Sequence, residues 1–215
     1  MNETVKRAIS GAIYVAVMWF GVSYQWSFHA LFVLIGVICI YEMLKLRKGK
    51  NKFFSLLYVI IPLVFIHFIG LTHSEPVGFT YHPAIIMFMF ILTWTFDTFA
   101  YLVGKPIGKH KIMPSISPKK SWEGFLGGFV FTLLISHLIN PLFVFKNSQF
   151  NPYVFAIILP FTATLGDFLE SHFKRQAGVK DSGNFIPGHG GMLDRMDAFI
   201  ITIPILYIYL KIFCR

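Results

Sequence analysis

The chain has 215 residues, of which 55% are hydrophobic and 18% aromatic but only 13% charged, and its formal net charge is +9. This composition excludes an ordinary soluble globular domain and predicts that lipid is the main solvent, while two cysteines, Cys39 and Cys214, are too few for a disulfide framework. A positive charge is typical of nucleic-acid binding, but in a membrane protein basic residues first indicate topology and contact with anionic headgroups, so we expect no nucleic-acid partner.

Seven apolar segments follow one another along the chain, each bounded by charged or Pro/Gly-rich loops. A hydrocarbon core about 30 Å thick needs about 20 mostly apolar helical residues, so the pattern predicts an all-α, polytopic integral membrane protein with about seven transmembrane helices. We expect the first segment to be a retained span, because no AxA-like cleavage site follows it. The predicted spans cover residues 8–24, 28–44, 53–71, 84–103, 122–139, 153–169 and 198–210.

The distribution of Lys and Arg predicts the orientation of these spans. If the N-terminus is cytoplasmic, all 19 Lys and Arg residues except Lys146, Lys211 and Arg215 fall on the cytoplasmic side. Basic residues favour that side, so we expect a cytoplasmic N-terminus. The polar loops 104–121 and 171–197 then also face the cytoplasm, where a soluble, charged reactant can reach them.

Carboxylates lie close to the predicted ends of three spans. Asp97 is inside the fourth span, and an intramembrane acid is a candidate for a functional site, although a structural role satisfied by neighbouring hydroxyls is an alternative of equal weight. Asp167 and Glu170 end the sixth span, and Asp194 and Asp197 open the seventh. Each pair has i, i+3 spacing, which places both acids on one helix face.

These acids favour a metal-dependent site if the two helix ends meet. Crowded carboxylates repel one another unless a cation neutralises them, and their hard oxygen atoms suit magnesium that bridges to phosphates. The alternative is that the acids at the start of the seventh span only cap a helix. Capping does not explain Asp167, which is predicted at a helix C-terminus, where the macrodipole disfavours an anion.

The segment between the two acidic pairs has the composition of a phosphate-binding loop. It contains Lys174, Arg175 and Lys180, followed by a GHGG motif at residues 188–191. Glycine lets backbone amides approach an anion, and Lys and Arg form charge-assisted hydrogen bonds with phosphate oxygens. A Walker loop is excluded because GxxxxGK[ST] is absent. Positive-inside anchoring is the alternative for Lys174 and Arg175, but their position among acids favours a function.

The loop 104–121 repeats this pattern and leads into the fifth span. Ser117 with Pro118 is consistent with a helix N-terminus, while Lys119 and Lys120 are equally suited to an anionic lipid headgroup. The GxxxG spacing of residues 124–128 indicates close helix packing rather than catalysis.

The stretch SHFKRQAGVKDSGNFIPGHGGMLDRMD at residues 171–197 resembles the signature of the phosphatidate cytidylyltransferase family, also called CDP-diacylglycerol synthases. Further matches are DTFAYLVGKPIGKHK from Asp97, SPKKSWEGFLGG from Ser117 and TLGDFLES from Thr164, although Ser121 replaces the commoner Thr. The resemblance implies that CTP and phosphatidate are the substrates and that CDP-diacylglycerol and pyrophosphate are the products. It also implies a requirement for Mg²⁺, with a second cation left open.

The resemblance implies roles for individual residues. The metal ligands would be Asp167, Asp194 and Asp197. Catalytic contacts would come from the loop that precedes the seventh span and from the end of the sixth: Lys174, Arg175, Lys180, Asp181 and His189. Substrate-binding contacts would come from Asp97, Ser117, Lys119, Lys120, Glu123 and Arg195.

The same resemblance divides the chain into N-terminal membrane helices, 1–96, and a catalytic membrane region, 97–215, within one integrated domain. It implies a bacterial-type plasma membrane, with the site facing the cytoplasm; whether the protein forms a homodimer stays open. Two other functions remain as alternatives. A CTP-dependent kinase acting on a polyprenol-type lipid would release CDP instead of pyrophosphate. A cation or proton transporter would use Asp97 and Asp167 as relay acids, but such acids usually lie near the midplane of paired repeats.

Overall fold

Seven α-helices form the body of the part of the chain that the computed structural model describes, residues 3–74, 78–145, 149–188 and 190–214. The helices are α1 Glu3–Ser23, α2 Gln25–Leu46, α3 Phe53–Ile69, α4 Ala84–Ile107, α5 Trp122–Ile139, α6 Pro152–Gln176 and α7 Leu193–Phe213. Two short antiparallel hairpins connect helices: β1 Leu71–Ser74 with β2 Gly78–Tyr81, and β3 Lys111–Met113 with β4 Ser117–Ser121.

Each predicted span is a helix, but the helices differ in length. Among the described residues, α2, α4, α6 and α7 are long and apolar enough to cross a membrane, as is α5 when it continues through a 3-10 turn to Leu142. The apolar part of α1, Ala8–Ser23, and helix α3 are shorter. The predicted all-α, polytopic membrane fold is therefore confirmed, and the number of seven spans stays a prediction.

The outer faces of the helices are apolar, as expected for contact with lipid. Along α5, Leu126, Val130, Leu134 and Leu138 recur every fourth residue and are between 48% and 60% exposed. In water, an apolar stripe of this kind would be strongly unfavourable, whereas lipid tails solvate it without cost.

The interior is packed with aromatic rings that join distant parts of the chain. Phe90 on α4 lies between Phe32 on α2, at a centroid distance of 6.5 Å, and Phe199 on α7, at 5.3 Å. All three side chains are buried. Helix α7 also packs against α3 and α6, so it occupies a central place in the bundle.

Helices α6 and α7 continue beyond their predicted apolar spans. Helix α6 ends at Gln176 rather than at residue 169, and α7 begins at Leu193 rather than at residue 198. Asp167 therefore lies about two and a half turns before the C-terminus of α6, and the prediction that it ends a helix is wrong. The prediction counted apolar residues only, whereas the polar last turns of α6 are stabilised by an i, i+4 ion pair between Glu170 and Lys174.

Close packing of α4 against α5 confirms the interpretation of the GxxxG spacing. A Cβ atom at Gly124 would lie 2.6 Å from the carbonyl oxygen of Ala100, and one at Gly128 would lie 2.8 Å from the ring of Phe96. Both glycines are buried. The missing side chains let the two backbones approach closely, which also fixes the position of β4 beside α4.

We expect Gly124→Ala to destabilise the protein by about 1–3 kcal/mol, because a new methyl group would meet backbone atoms that cannot move aside. Reversible denaturation in detergent micelles measures this change. The matched control is Leu126→Ala on the outer face of the same helix, which should change the unfolding free energy by less than about 0.5 kcal/mol. Equal stability of the Gly124 variant and the unmodified protein would contradict the close packing.

Candidate active site

Two neighbouring cavities share Asp97 of α4 as a lining residue. The first, of about 240 Å³, lies between α4, α5, α6 and β4, and we call it the lysine cavity. The second, of about 340 Å³, lies between α1, α4 and α7, and we call it the arginine cavity. The charged and hydroxyl residues of the lysine cavity include Asp97, Ser117, Lys119, Lys120 and Asp167. Those of the arginine cavity include Asp97, Asp194, Arg195 and Asp197.

An ion pair between Lys120 and Asp167 lies at the lysine cavity. The Lys120 ammonium contacts the Asp167 carboxylate and lies 5.4 Å from the centroid of the Phe168 ring. Desolvation lowers the pKa of Lys120 below its ordinary value, and the carboxylates of Asp197 and Asp97 partly oppose this shift. The pair joins the loop before α5 to helix α6, and it places a cation and an anion on the wall of one cavity.

Lys174 connects α6 to α7 through two acids. Its Nζ atom lies 2.7 Å from Oδ1 of Asp194 and 2.5 Å from Oε2 of Glu170. The Glu170 side chain is fully buried, and the side chains of Lys174 and Asp194 are only 11% and 7% exposed. Glu170 is one of the acids predicted at the end of the sixth span, but it has no individual role in the predicted site, although its i, i+4 spacing to Lys174 predicts their ion pair.

The second oxygen of Asp194 is oriented by the preceding loop. Oδ2 accepts hydrogen bonds from the backbone amides of Ser182, at 2.9 Å, and Gly191, at 2.7 Å. Asp197 accepts the amide of Ala198 at 2.8 Å. Asp194 lies in the first turn of α7, where the helix dipole favours an acid, but neither aspartate accepts an amide of that turn. Capping therefore does not explain the two aspartates, and it does not explain the ion pair between Asp194 and Lys174.

The cytoplasmic ends predicted for α6 and α7 do meet. A Cβ atom at Gly166 would lie 2.2 Å from the backbone oxygen of Asp197, so the two helices touch backbone to backbone. The aspartate side chains divide between the cavities: Asp167 lines the lysine cavity, whereas Asp194 and Asp197 line the arginine cavity. Within the described residues, no group of three or more His, Cys, Asp or Glu side chains is arranged to hold a metal. The assignment of these three aspartates as metal ligands stays a prediction.

The predicted basic residues occupy three different environments. Nε of Arg195 is buried, and among the described residues it has no hydrogen-bond partner. Arg175 is exposed and donates to the carbonyl oxygens of Ile116, at 3.3 Å, and Val179, at 3.0 Å, so it ties the two polar loops together. Lys180 is exposed and lines neither of the two cavities.

The remaining predicted site residues lie away from this centre or at its edge. Glu123 accepts the backbone amide of His110 at 3.2 Å and pairs with its Nδ1 atom at 2.6 Å, so it fixes the loop to the start of α5. Asp181 lines a separate surface cavity together with Lys45 and other lysines. His189 lies outside the described residues. The helix N-cap of α5 is Ser121, whose hydroxyl accepts an amide, and not Ser117.

Sequence reasoning missed Glu42, a buried carboxylate on α2. Its oxygens accept hydrogen bonds from the amides of Met192 and Leu193 and from the hydroxyl of Ser182. The sequence does contain a signal, because Glu42 is a single acid in an otherwise uncharged apolar segment. An acid inside a membrane span needs a hydrogen-bonding or ionic partner.

Comparisons with known proteins agree on one family. A family model described as the cytidylyltransferase family matches residues 50–213. A phosphatidate cytidylyltransferase of Rickettsia bellii is 36% identical over 212 residues, which is 94% of this chain and 88% of the relative. Those of Staphylococcus saprophyticus and Bacillus subtilis are 40% and 38% identical over 77% and 75% of this chain. The chain spans 63% and 58% of the length of these two relatives.

We expect Lys174→Met to reduce the unfolding free energy by about 3–5 kcal/mol, because two buried carboxylates would lose their shared counter-charge. Denaturation in micelles measures the loss. Adding Glu170→Gln to the Lys174 variant should recover part of the stability, since one of the two unpaired charges is then removed. Normal stability of the Lys174 variant would instead indicate that Lys174 serves only as a positively charged topological anchor.

Proposed function

The chain belongs to the cytidylyltransferase family, and we propose that it is a phosphatidate cytidylyltransferase of phospholipid biosynthesis. It is a nucleotidyltransferase that uses CTP to convert phosphatidate into CDP-diacylglycerol and pyrophosphate. The observation that carries this proposal is the pair of cavities that meet at Asp97, with basic and acidic side chains on both walls. The reaction brings two charged substrates together, and each of the two neighbouring cavities could bind one of them.

The chemistry requires positioning more than proton transfer. An oxygen of the lipid phosphate attacks the α-phosphorus of CTP and forms a new P–O bond. The bond between the α-phosphorus and the oxygen that links it to the β-phosphorus breaks. That oxygen leaves with its electron pair as part of pyrophosphate. The attacking oxygen is already an anion, so a strong general base is unnecessary. The contribution of the protein is alignment of the two phosphates and neutralisation of their charge.

We propose that the lysine cavity receives the phosphate of phosphatidate. Lys119, Lys120 and Ser117 supply cationic and hydroxyl donors there, while the rest of the lining includes the apolar side chains of Phe96 and Phe125. A polar rim beside apolar walls suits a headgroup whose acyl chains stay in lipid. The phosphate can compete with Asp167 for the Lys120 ammonium, because both are anions of similar hydrogen-bonding capacity.

We propose that the arginine cavity receives the phosphates of CTP. The described residues offer no acceptor to the buried Nε of Arg195, which is unfavourable, and a phosphate oxygen would supply one. Lys174 pairs with Asp194, which lines this cavity, so it adds positive charge near the bound nucleotide. Arg175 joins the two polar loops through its hydrogen bonds to Ile116 and Val179.

The proposal includes magnesium as the cofactor. The donor chemistry fits, because the carboxylates of Asp97, Asp167, Asp194 and Asp197 line the two cavities, and Mg²⁺ prefers a few carboxylates together with phosphate oxygens. Because Asp167 lines one cavity and Asp194 and Asp197 line the other, the three aspartates would hold the ion only after moving towards one another, or would each bind one of two ions. The metal would neutralise charge on the reacting phosphates. Lys120 and Lys174 supply the counter-charge for Asp167 and Asp194 in the structure as it stands.

The apolar helices and bacterial relatives support a place in a bacterial membrane. We propose the plasma membrane, with the site on the cytoplasmic side where CTP is available. This orientation is supported by the excess of Lys and Arg in the loops beside the two cavities.

Purified protein incubated with phosphatidate, magnesium and CTP labelled at the α-phosphate should yield a labelled lipid and unlabelled pyrophosphate. Parallel CTP labelled at the γ-phosphate should leave the lipid unlabelled. A lipid kinase would give the reverse pattern and release CDP, which would contradict the proposal.

We expect Asp194→Asn to reduce CDP-diacylglycerol formation by about two orders of magnitude or more, since a neutral amide neither pairs with Lys174 nor binds a hard cation well. Initial rates per folded protein measure the effect. The control is Lys211→Gln, which changes a charge near the other end of α7 and should leave the rate unchanged. A near-normal rate for the Asp194 variant would remove Asp194 from the mechanism.

A further inference from the structure

Glu42 makes three hydrogen bonds to the polar segment between α6 and α7. Its Oε1 atom accepts the amide of Met192 at 3.0 Å, and its Oε2 atom accepts the amide of Leu193 at 2.8 Å. The hydroxyl of Ser182 donates to the same Oε2 atom at 2.8 Å. Glu42 is only 4% exposed, so these three donors offset the cost of removing a carboxylate from water.

These contacts make Glu42 a cap for α7 that comes from another helix. The N-cap residue of α7, Met192, forms no hydrogen bond through its side chain. The first amides of a helix have no partner within the helix, and a carboxylate is the acceptor that the helix dipole favours there. Glu42 therefore fixes where α7 begins, although it lies on α2.

The loop backbone closes around the Glu42 carboxylate from two sides. A Cβ atom at Gly183 would lie 2.6 Å from Oε1, and one at Gly191 would lie 2.5 Å from Oε2. Neither position has room for a side chain while Glu42 keeps its place. The close approach of the loop to Glu42 thus explains why residues 183 and 191 are glycine, independently of any contact with phosphate.

The loop that Glu42 holds is also the loop that orients Asp194. The Ser182 hydroxyl lies 2.8 Å from Oε2 of Glu42 and 3.0 Å from Oδ2 of Asp194. The amides of Ser182 and Gly191 both donate to Oδ2 of Asp194. A shift of this loop would change the direction of the Asp194 carboxylate and its ion pair with Lys174.

We infer that Glu42 is a positioning residue for the transfer reaction, which acts by holding Ser182, Met192 and the start of α7 so that Asp194 faces the arginine cavity. This inference rests on the proposed function, because it gives Asp194 a part in the reaction. Glu42 lines neither cavity, so its effect passes through the Ser182 hydroxyl and through the backbone amides of Met192 and Leu193.

The test is Glu42→Gln in the full-length protein in detergent, compared with Tyr41→Phe, a change at the exposed neighbour on α2. Glutamine keeps the shape but replaces one acceptor oxygen by a donor, so at least one of the three hydrogen bonds is lost. We expect kcat per folded protein to fall roughly 10–100-fold. KM for CTP and for phosphatidate should change by less than about threefold, because the substrate contacts remain. Tyr41→Phe should match the unmodified protein.

Hydrogen exchange provides a readout that does not depend on activity. The amides of Ser182 and of residues 191–193 should exchange faster in the Glu42 variant than in the Tyr41 variant, while the amides of α4 and α5 exchange at the same rate in both. Unchanged exchange at these four amides, or an unchanged kcat, would overturn the inference. An unmodified protein that makes no CDP-diacylglycerol would overturn the proposed function instead, and the exchange result would still decide whether Glu42 holds the loop.

Ser182→Ala tests the route and covers the case in which Glu42→Gln does not fold. It removes one hydroxyl and leaves the two amide hydrogen bonds of Glu42 intact, and we expect a several-fold loss of kcat with normal amounts of folded protein. In the double variant, the loss should be smaller than the product of the two single losses, because both changes disturb one network. A normal kcat for Ser182→Ala would contradict the idea that Glu42 acts through Ser182. So would a double variant whose loss of kcat equals the product of the two single losses.

Discussion

The ion pairs of Lys174 with Glu170 and Asp194 are the interaction on which the rest of the site depends. Lys174 is the shared counter-charge of two buried acids, so removing it would leave both carboxylates without a cation. The set fixes α6 against α7 at a point where Gly166 allows the two backbones to touch. The same pairing places Asp194 on the wall of the arginine cavity, so the charges that stabilise this part of the fold are also available to charged substrates.

Much of the fold could be predicted from the sequence, because lipid imposes a simple rule on segment length and composition. All seven apolar segments are helices, and the glycine spacing of α5 identified a close contact with α4. The ends of α6 and α7 could not be predicted from hydropathy. Their last and first turns are polar and are stabilised by tertiary ion pairs, such as that of Lys174 with Asp194. The short hairpin of β3 and β4 gave no periodic signal, because each strand has only a few residues.

The residues of the site were largely recognisable from their motifs, but their arrangement was not. Lys120 with Asp167, and Lys174 with Asp194, were all in the predicted set, and the structure brings each pair into contact. The division of the acids between two cavities depends on side-chain directions that a motif does not specify. Glu42 was missed because its partners are about 150 residues later in the chain. A single buried carboxylate indicates that some partner exists without identifying which one.

In the proposed mechanism, the phosphate of the lipid in the lysine cavity and the α-phosphate of CTP in the arginine cavity meet beside Asp97. A structure of the protein with magnesium, phosphatidate and a CTP analogue that resists cleavage between its α- and β-phosphates would test it most directly. In that complex, we expect the lipid phosphate within hydrogen-bond distance of Lys120 and a phosphate oxygen of the nucleotide within hydrogen-bond distance of Nε of Arg195. The proposed mechanism would be contradicted if the lipid phosphate and the nucleotide phosphates occupied the same cavity. It would also be contradicted if Nε of Arg195 had no phosphate oxygen within hydrogen-bond distance.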